Sequence, residues 1–156
     1  MKLSDLACAG RRPACPMHIE LPDGEILEVE CWLRVLPGQR YVGQAQWNGR
    51  TVLAKLLVGG NAQRHQQREL HGAQALAAQY LPTPALLAEG RQAGSGGWLL
   101  FEWLDGAESL SAAWRAVVAE ALLSEGQQRV LGEALEFVAR MHARGLWQAD
   151  LHLDNL

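Results

Sequence analysis

Over the first two thirds of the chain, apolar and polar residues alternate in short runs. Between Glu28 and Leu36 the side chains Val29, Cys31, Leu33 and Val35 take every second position, the period of a strand with one buried face. Pro37-Gly38 ends that run, since neither residue continues a paired strand comfortably. Upstream, the stretch from His18 to Val29 alternates around Pro22-Asp23-Gly24, where a fixed proline angle and a permissive glycine favour reversal, so a small hairpin is expected. Two further strands, Tyr41 to Trp47 and Arg50 to Val58, flank Asn48-Gly49. That dipeptide tolerates the positive backbone angles of a type I′ turn and predicts a tight hairpin.

The period changes after Gly59-Gly60. From Ala62 to Gln79 the chain is built from Gln, Arg, Ala, Leu and Glu, which favour helix, with Asn61 placed to cap and Pro82 and Pro84 beyond the end. Strand patterns return at Ala85 to Glu89 and Trp98 to Leu104, separated by Gly94-Ser95-Gly96-Gly97. Past Asp105-Gly106 the chain turns helical. Leu110 to Leu123 is one candidate helix, and Gln127 to Ala143 is another, with Val130, Leu131, Ala134, Leu135, Val138 and Met141 at helical spacing and Gly145 as a stop. The predicted class is α+β: a hairpin, a five-stranded antiparallel sheet with one helix, and then the beginning of a helical region.

Composition narrows the function classes. A chain of 156 residues, 49% apolar and 20% charged, suffices for one core and is short for two ordinary domains. Its formal net charge of −3 argues against a dedicated nucleic-acid binder, which needs an excess of Lys and Arg to displace counterions. Any phosphate site has to be local. Cys8, Cys15 and Cys31 form no Cys-x-x-Cys pair and lie at no metal spacing with a histidine, so a reduced cytoplasmic protein is expected. Met1 to Pro16 carries Lys2, Arg11 and Arg12 without the apolar stretch of a secretory signal, and no segment approaches the length of a membrane span.

Phosphoryl transfer from a nucleotide requires a cation on the donor phosphates, an anion that orients it, metal ligands, and a carboxylate beside the attacking hydroxyl. Candidates occur in that order. Lys55 ends Val52-Leu53-Ala54-Lys55 on the third strand, where apolar neighbours would hold its ammonium in a cleft; the plainer explanation is a solvent-facing strand lysine. Glu69, in Arg68-Glu69-Leu70, lies on the following helix and can pair with Lys55 by turning toward the sheet, although a glutamate among Gln and Arg is ordinarily a solvated face. Asp150 stands five positions before Asn155, directly after a long helix. That spacing lets one loop bring a carboxylate to an acceptor hydroxyl and an amide oxygen to a metal ion. His65, His71, His142 and His152 form no His-Glu-x-x-His motif, which points to surface or packing roles. Trp98, Trp103 and Trp147 are expected in the core.

These residues resemble the lipopolysaccharide kinase family of bacterial protein-kinase-like enzymes. The resemblance runs from about Val29 to the last residue. It rests on the Val-x-Ala-Lys strand, Arg68-Glu69-Leu70, Pro82-Thr83-Pro84, the connector Leu100-Phe101-Glu102-Trp103-Leu104, and Met141-His142-Ala143-Arg144-Gly145-Leu146 continuing through Asn155. It implies a protein-kinase-like fold with an N-terminal extension over 1–27, an N-lobe over 28–105 and a partial helical C-lobe over 106–156. The implied cofactors are ATP and Mg2+, and the implied acceptor is a hydroxyl of a lipopolysaccharide-core sugar. Lys55 and Glu69 would serve the ATP phosphates, backbone at Glu102 and Leu104 would hold adenine, Asn155 would bind magnesium, and Asp150 would be catalytic.

With the cytoplasmic placement expected from the cysteines, peripheral contact at the inner face of the inner membrane is left open; no nucleic acid and no obligate protein partner are expected. Two positions depart from the pattern. Gln148 stands where kinases often have histidine, and Leu36 to Gly43 offers only two glycines for a phosphate-covering loop, with Arg40 available to contribute charge. The second metal ligand of kinases normally follows the asparagine, so a chain ending at Leu156 is expected to be a fragment or a truncated enzyme. Two alternatives remain at this level: a catalytically silent kinase-like module that binds nucleotide or a partner, and a small-molecule kinase of the aminoglycoside or choline type.

Overall fold

A computed structural model describes residues 1–94 and 96–148. A short 3-10 helix, Leu3–Cys8, precedes β1 (Met17–Glu20), β2 (Ile26–Leu36), β3 (Arg40–Trp47) and β4 (Arg50–Leu57); α1 (Ala62–Ala78), β5 (Leu86–Gln92), β6 (Gly96–Glu102), α2 (Leu110–Val117) and α3 (Glu125–Ala143) follow. The chain divides into two compact units, Met1–Gln74 with Thr83–Trp103, and Ala75–Pro82 with Leu104–Leu156.

In the first unit the strands form one antiparallel sheet in the order β1-β2-β3-β4-β6-β5. Its six strands correct the expected five. The turn at Pro22-Asp23-Gly24 closes as predicted, with Gly24 N–H donating to Leu21 O at 2.9 Å and Gly24 at φ +90°. The second arm of that hairpin, however, runs without a break into the next strand, and β2 therefore pairs with β1 on one side and β3 on the other. The first arm becomes the edge of the main sheet. The amino terminus extends this edge: Glu20 N–H donates to Met1 O at 2.8 Å, and the Met1 ammonium donates to His18 O at 2.9 Å.

Register decides which side chains share a face. Tyr41 pairs with Leu56 and Leu56 with Trp98, while Gly43 pairs with Ala54 and Ala54 with Leu100. These rows lie on one face, where Leu3, Leu6, Ile19, Leu21 and Leu27 complete the core, each at most 1% exposed. Residues from 1–27 thus belong to the same apolar core as the sheet. Gly90 lacks a side chain because a Cβ there would lie 1.9 Å from the Trp98 ring, so only glycine lets that indole cross β5. Strict alternation fails in β2. Register shifts between Val29 and Cys31 and between Trp32 and Arg34 bring Trp32 and Val35 against the core and leave Cys31 and Leu33 exposed. The Trp32 and Tyr41 rings meet edge to face at 5.7 Å.

In the second unit local signals set the helix limits. Ser109 Oγ accepts the Ala112 N–H and Ser124 Oγ accepts the Gln127 N–H, so α3 begins at Glu125, two residues before its predicted start. The predicted helix to Leu123 stops at Val117. The buried Gln127 amide donates to Val117 O at 3.2 Å and Glu120 O at 3.3 Å, and its oxygen accepts the Leu123 N–H at 3.0 Å. Gly145, at φ +73°, ends α3 as predicted: Gly145 N–H donates to His142 O and Leu146 N–H to Met141 O, the paired bonds of a Schellman cap. Trp98 is buried as expected, but Trp147 is 77% exposed and stacks on His142 with ring centroids 4.2 Å apart. Among the described residues no helix is long and apolar enough to cross a membrane.

Candidate phosphate-binding site

The type I′ turn at Asn48-Gly49, with φ values of 49° and 73°, fixes the pairing of Trp47 with Arg50. Counting back along that hairpin brings Val42 opposite Lys55 and Arg40 opposite Leu57. Because Val52, Ala54 and Leu56 fill the core, Lys55 projects to the other face, and Arg40 lies on that same face two residues from Val42. Phe101, from the adjacent β6, places its ring centroid 5.1 Å from Lys55 Nζ, within reach of a cation–π contact.

The helix supplies the anion. Ala62, Gln66 and Glu69 recur at helical spacing on α1, and Ala62 and Gln66 are buried. Gln66 Nε2 donates to Gly90 O at 2.9 Å, tying this stripe to β5, and a Cβ on Gly97 would come within 2.6 Å of Gln66 Oε1. The next turn of the stripe carries Glu69 to the sheet. Its Oε2 lies 2.6 Å from Lys55 Nζ and its Oε1 lies 3.0 Å from Arg40 Nη1. All three side chains are about a quarter exposed. Burial pushes the Glu69 carboxyl up, but the charges and hydrogen bonds of Lys55 and Arg40 outweigh it and hold the group below its ordinary value.

The turn before Arg40 is tied down at several points. Gln39 N–H donates to Leu36 O at 3.0 Å, Val58 N–H donates to Gln39 O at 2.9 Å, and Gly38 N–H donates to Tyr41 Oη at 3.3 Å. Tyr41 Oη in turn donates to Gly10 O at 3.3 Å, which joins the amino-terminal segment to the turn. Gly38 adopts φ +70°, and its carbonyl packs where a Cβ on Gly59 would lie 2.4 Å away.

Of the residues singled out in the sequence, Lys55 and Glu69 are brought together. Arg40 joins them through Glu69 rather than standing apart as a loop charge. The Asn48-Gly49 register puts Arg40 on the Lys55 face of the sheet, but its pairing with Glu69 depends on the packing of α1. The Glu102 N–H is taken by Ala85 O at 2.8 Å, and the Leu104 carbonyl accepts the Ala107 N–H at 3.2 Å in the second unit. Asn61 meets α1 through its backbone carbonyl, which accepts the His65 N–H at 3.0 Å. Asp150 and Asn155 lie outside the described residues. Among the described residues no group of three His, Cys, Asp or Glu side chains is arranged to hold a metal ion.

A solved structure of vaccinia related kinase 3 matches 98% of this chain with a TM-score of 0.59 at 13% sequence identity. The fold is therefore protein-kinase-like, with the six-stranded sheet and α1 corresponding to an N-lobe. The match covers 49% of that kinase, so the chain spans about half its length. No protein-family model and no curated protein sequence matches the chain.

Proposed function

We propose that the chain is the nucleotide-binding part of an ATP-dependent phosphotransferase whose acceptor is a hydroxyl of a lipopolysaccharide-core sugar. The observation that carries the reading is the Lys55–Glu69 ion pair at 2.6 Å on a kinase-like sheet and helix. An ammonium held by a carboxylate and by the Phe101 ring loses rotamer freedom before ligand arrives, and so meets phosphate oxygens at little further cost in ordering. In this reading Lys55 holds the donor phosphates, Glu69 orients Lys55, and backbone at Glu102 and Leu104 flanks adenine. Asp150 aligns the acceptor hydroxyl and takes its proton. Asn155 is the proposed magnesium ligand, and magnesium when bound neutralises phosphate charge. The sugar acceptor, and a cytoplasmic enzyme touching the inner membrane peripherally, are supported by the family resemblance of the motifs.

The test is transfer of labelled phosphate from ATP to core oligosaccharide by the full-length protein. Lys55→Met should cut transfer by about 10²- to 10³-fold, the scale of losing one preorganised electrostatic contact, while the fold stays intact. Combined with Glu69→Gln, the double variant should lose much less than the two single losses together. Full transfer by a folded Lys55→Met variant removes Lys55 from the site, and labelling of aminoglycoside or choline in place of the oligosaccharide reassigns the acceptor.

A further inference from the structure

Glu69 serves two cations. Two positive groups and one carboxylate leave this cluster with a net positive charge, in a chain whose formal charge is −3. Among the described residues, Glu69 is the only acid within ion-pair distance of either Lys55 or Arg40. Arg40 also has an unmet requirement. Its Nη1 is held by Glu69, but its Nε is buried and has no hydrogen-bond partner. A buried donor without an acceptor is costly, and the guanidinium keeps further donors, in a planar fork suited to phosphate oxygens, on a side chain that is a quarter exposed. Position adds to this: Arg40 follows directly on the tied-down Pro37-Gly38-Gln39 turn, on the same sheet face as Lys55. It lies about 7 Å along β3 from Val42, which is itself about 5 Å across the sheet from Lys55.

We infer that Arg40 is a second phosphate-binding cation, that Glu69 orients Arg40 and Lys55 together, and that the cluster selects a ligand with two adjacent phosphates, a nucleoside di- or triphosphate. The inference rests on the nucleotide-binding reading above and specifies which part of the nucleotide the site measures. The thin glycine content of the β2–β3 turn fits this arrangement, since a side-chain fork takes over work that a glycine-rich backbone performs by close approach. Phosphate neutralises the surplus charge and meets the part of the Arg40 guanidinium that is open to solvent, the side chain being a quarter exposed.

Calorimetric titration of the full-length protein with ADP and with adenosine separates the possibilities. Arg40→Met should weaken ADP binding by about tenfold or more, the worth of a hydrogen bond to a charged group, while adenosine binding changes less than about twofold on the same scale. Arg40→Lys should restore only part of the loss, because a point charge does not reproduce the fork. ADP affinity unchanged in Arg40→Met but lost in Lys55→Met overturns the role of Arg40 and leaves the nucleotide site standing. Equal losses for ADP and adenosine show that Arg40 acts on the fold, which also overturns the inference. Absence of ADP and ATP binding by the wild-type protein sinks both readings. Should Arg40→Met fail to fold, Arg40→Gln, which keeps a polar head, carries the same comparison.

Discussion

The sheet-bearing unit and the helical unit treat their apolar residues in opposite ways. In the first, side chains from the 3-10 helix, β1, β2, β3, β4 and β6 meet in one core, with Leu3, Leu6, Tyr41, Leu56 and Leu100 essentially inaccessible to water. In the second, among the described residues, Leu81, Val117 and Met141 are the buried apolar side chains, while Leu122 and Leu135 are 88% and 68% exposed. Helices there are delimited by serine caps, a buried glutamine and a glycine stop, all acting within a few residues of one another. Strands in the first unit are delimited by partners far away in sequence. A kinase-like fold needs both kinds of order, but only the first positions the Lys55–Glu69–Arg40 cluster, because the side chains converge from different strands and a helix.

This contrast can be broken by measurement, and the largest effect belongs to the sheet. Leu56→Ala should destabilise the protein by about 2–5 kcal/mol, the range for emptying a close-packed core position. Urea unfolding followed by tryptophan fluorescence reads it directly, and a loss below about 1 kcal/mol would mean that the core relaxes around the void instead of being held by the sheet.

A smaller effect comes from the ion cluster. The folded Glu69 carboxyl titrates below its ordinary value of 4.5, so the unfolded chain binds its proton more readily than the folded one. The stabilisation is complete above that value and disappears as pH falls through the lower, folded value. Between pH 6 and 3, Glu69→Gln should therefore lose stability less steeply than the wild type. Parallel curves for the two proteins would show that Glu69 has no net coupling to Lys55 and Arg40.

Smallest of all should be Leu135→Ala on α3. An exposed leucine replaced by the best helix former is expected to change stability by no more than about 0.5 kcal/mol. A loss comparable to that of Leu56→Ala would show that this face is covered in solution, and the difference between the two units would vanish.

What local pattern encodes was legible without a structure. The succession of strands and helices from Arg40 onward, the Asn48-Gly49 turn, the reversal at Gly24 and the stop at Gly145 all follow from backbone preferences of neighbouring residues, and for that reason survive folding. Lys55 and Glu69 could be singled out as partners because phosphoryl transfer asks for a cation on the donor phosphates and an anion to orient it, and the two stand in that order on a strand and the helix that follows. Tertiary structure decided the rest. Pairing on both sides of β2 turned a small hairpin into a sixth strand, and its register shifts exposed Cys31 and Leu33 against the simple alternation. The Gln127 amide ended α2 six residues before the predicted limit, and Trp147 found His142 in place of a core. Arg40 came to share Glu69 because cross-strand register and a helix stripe converge on one carboxylate. Such contacts join residues 29 positions apart, and neither period nor propensity carries information over that separation; only the packed chain brings both cations to one carboxylate, each on its own oxygen.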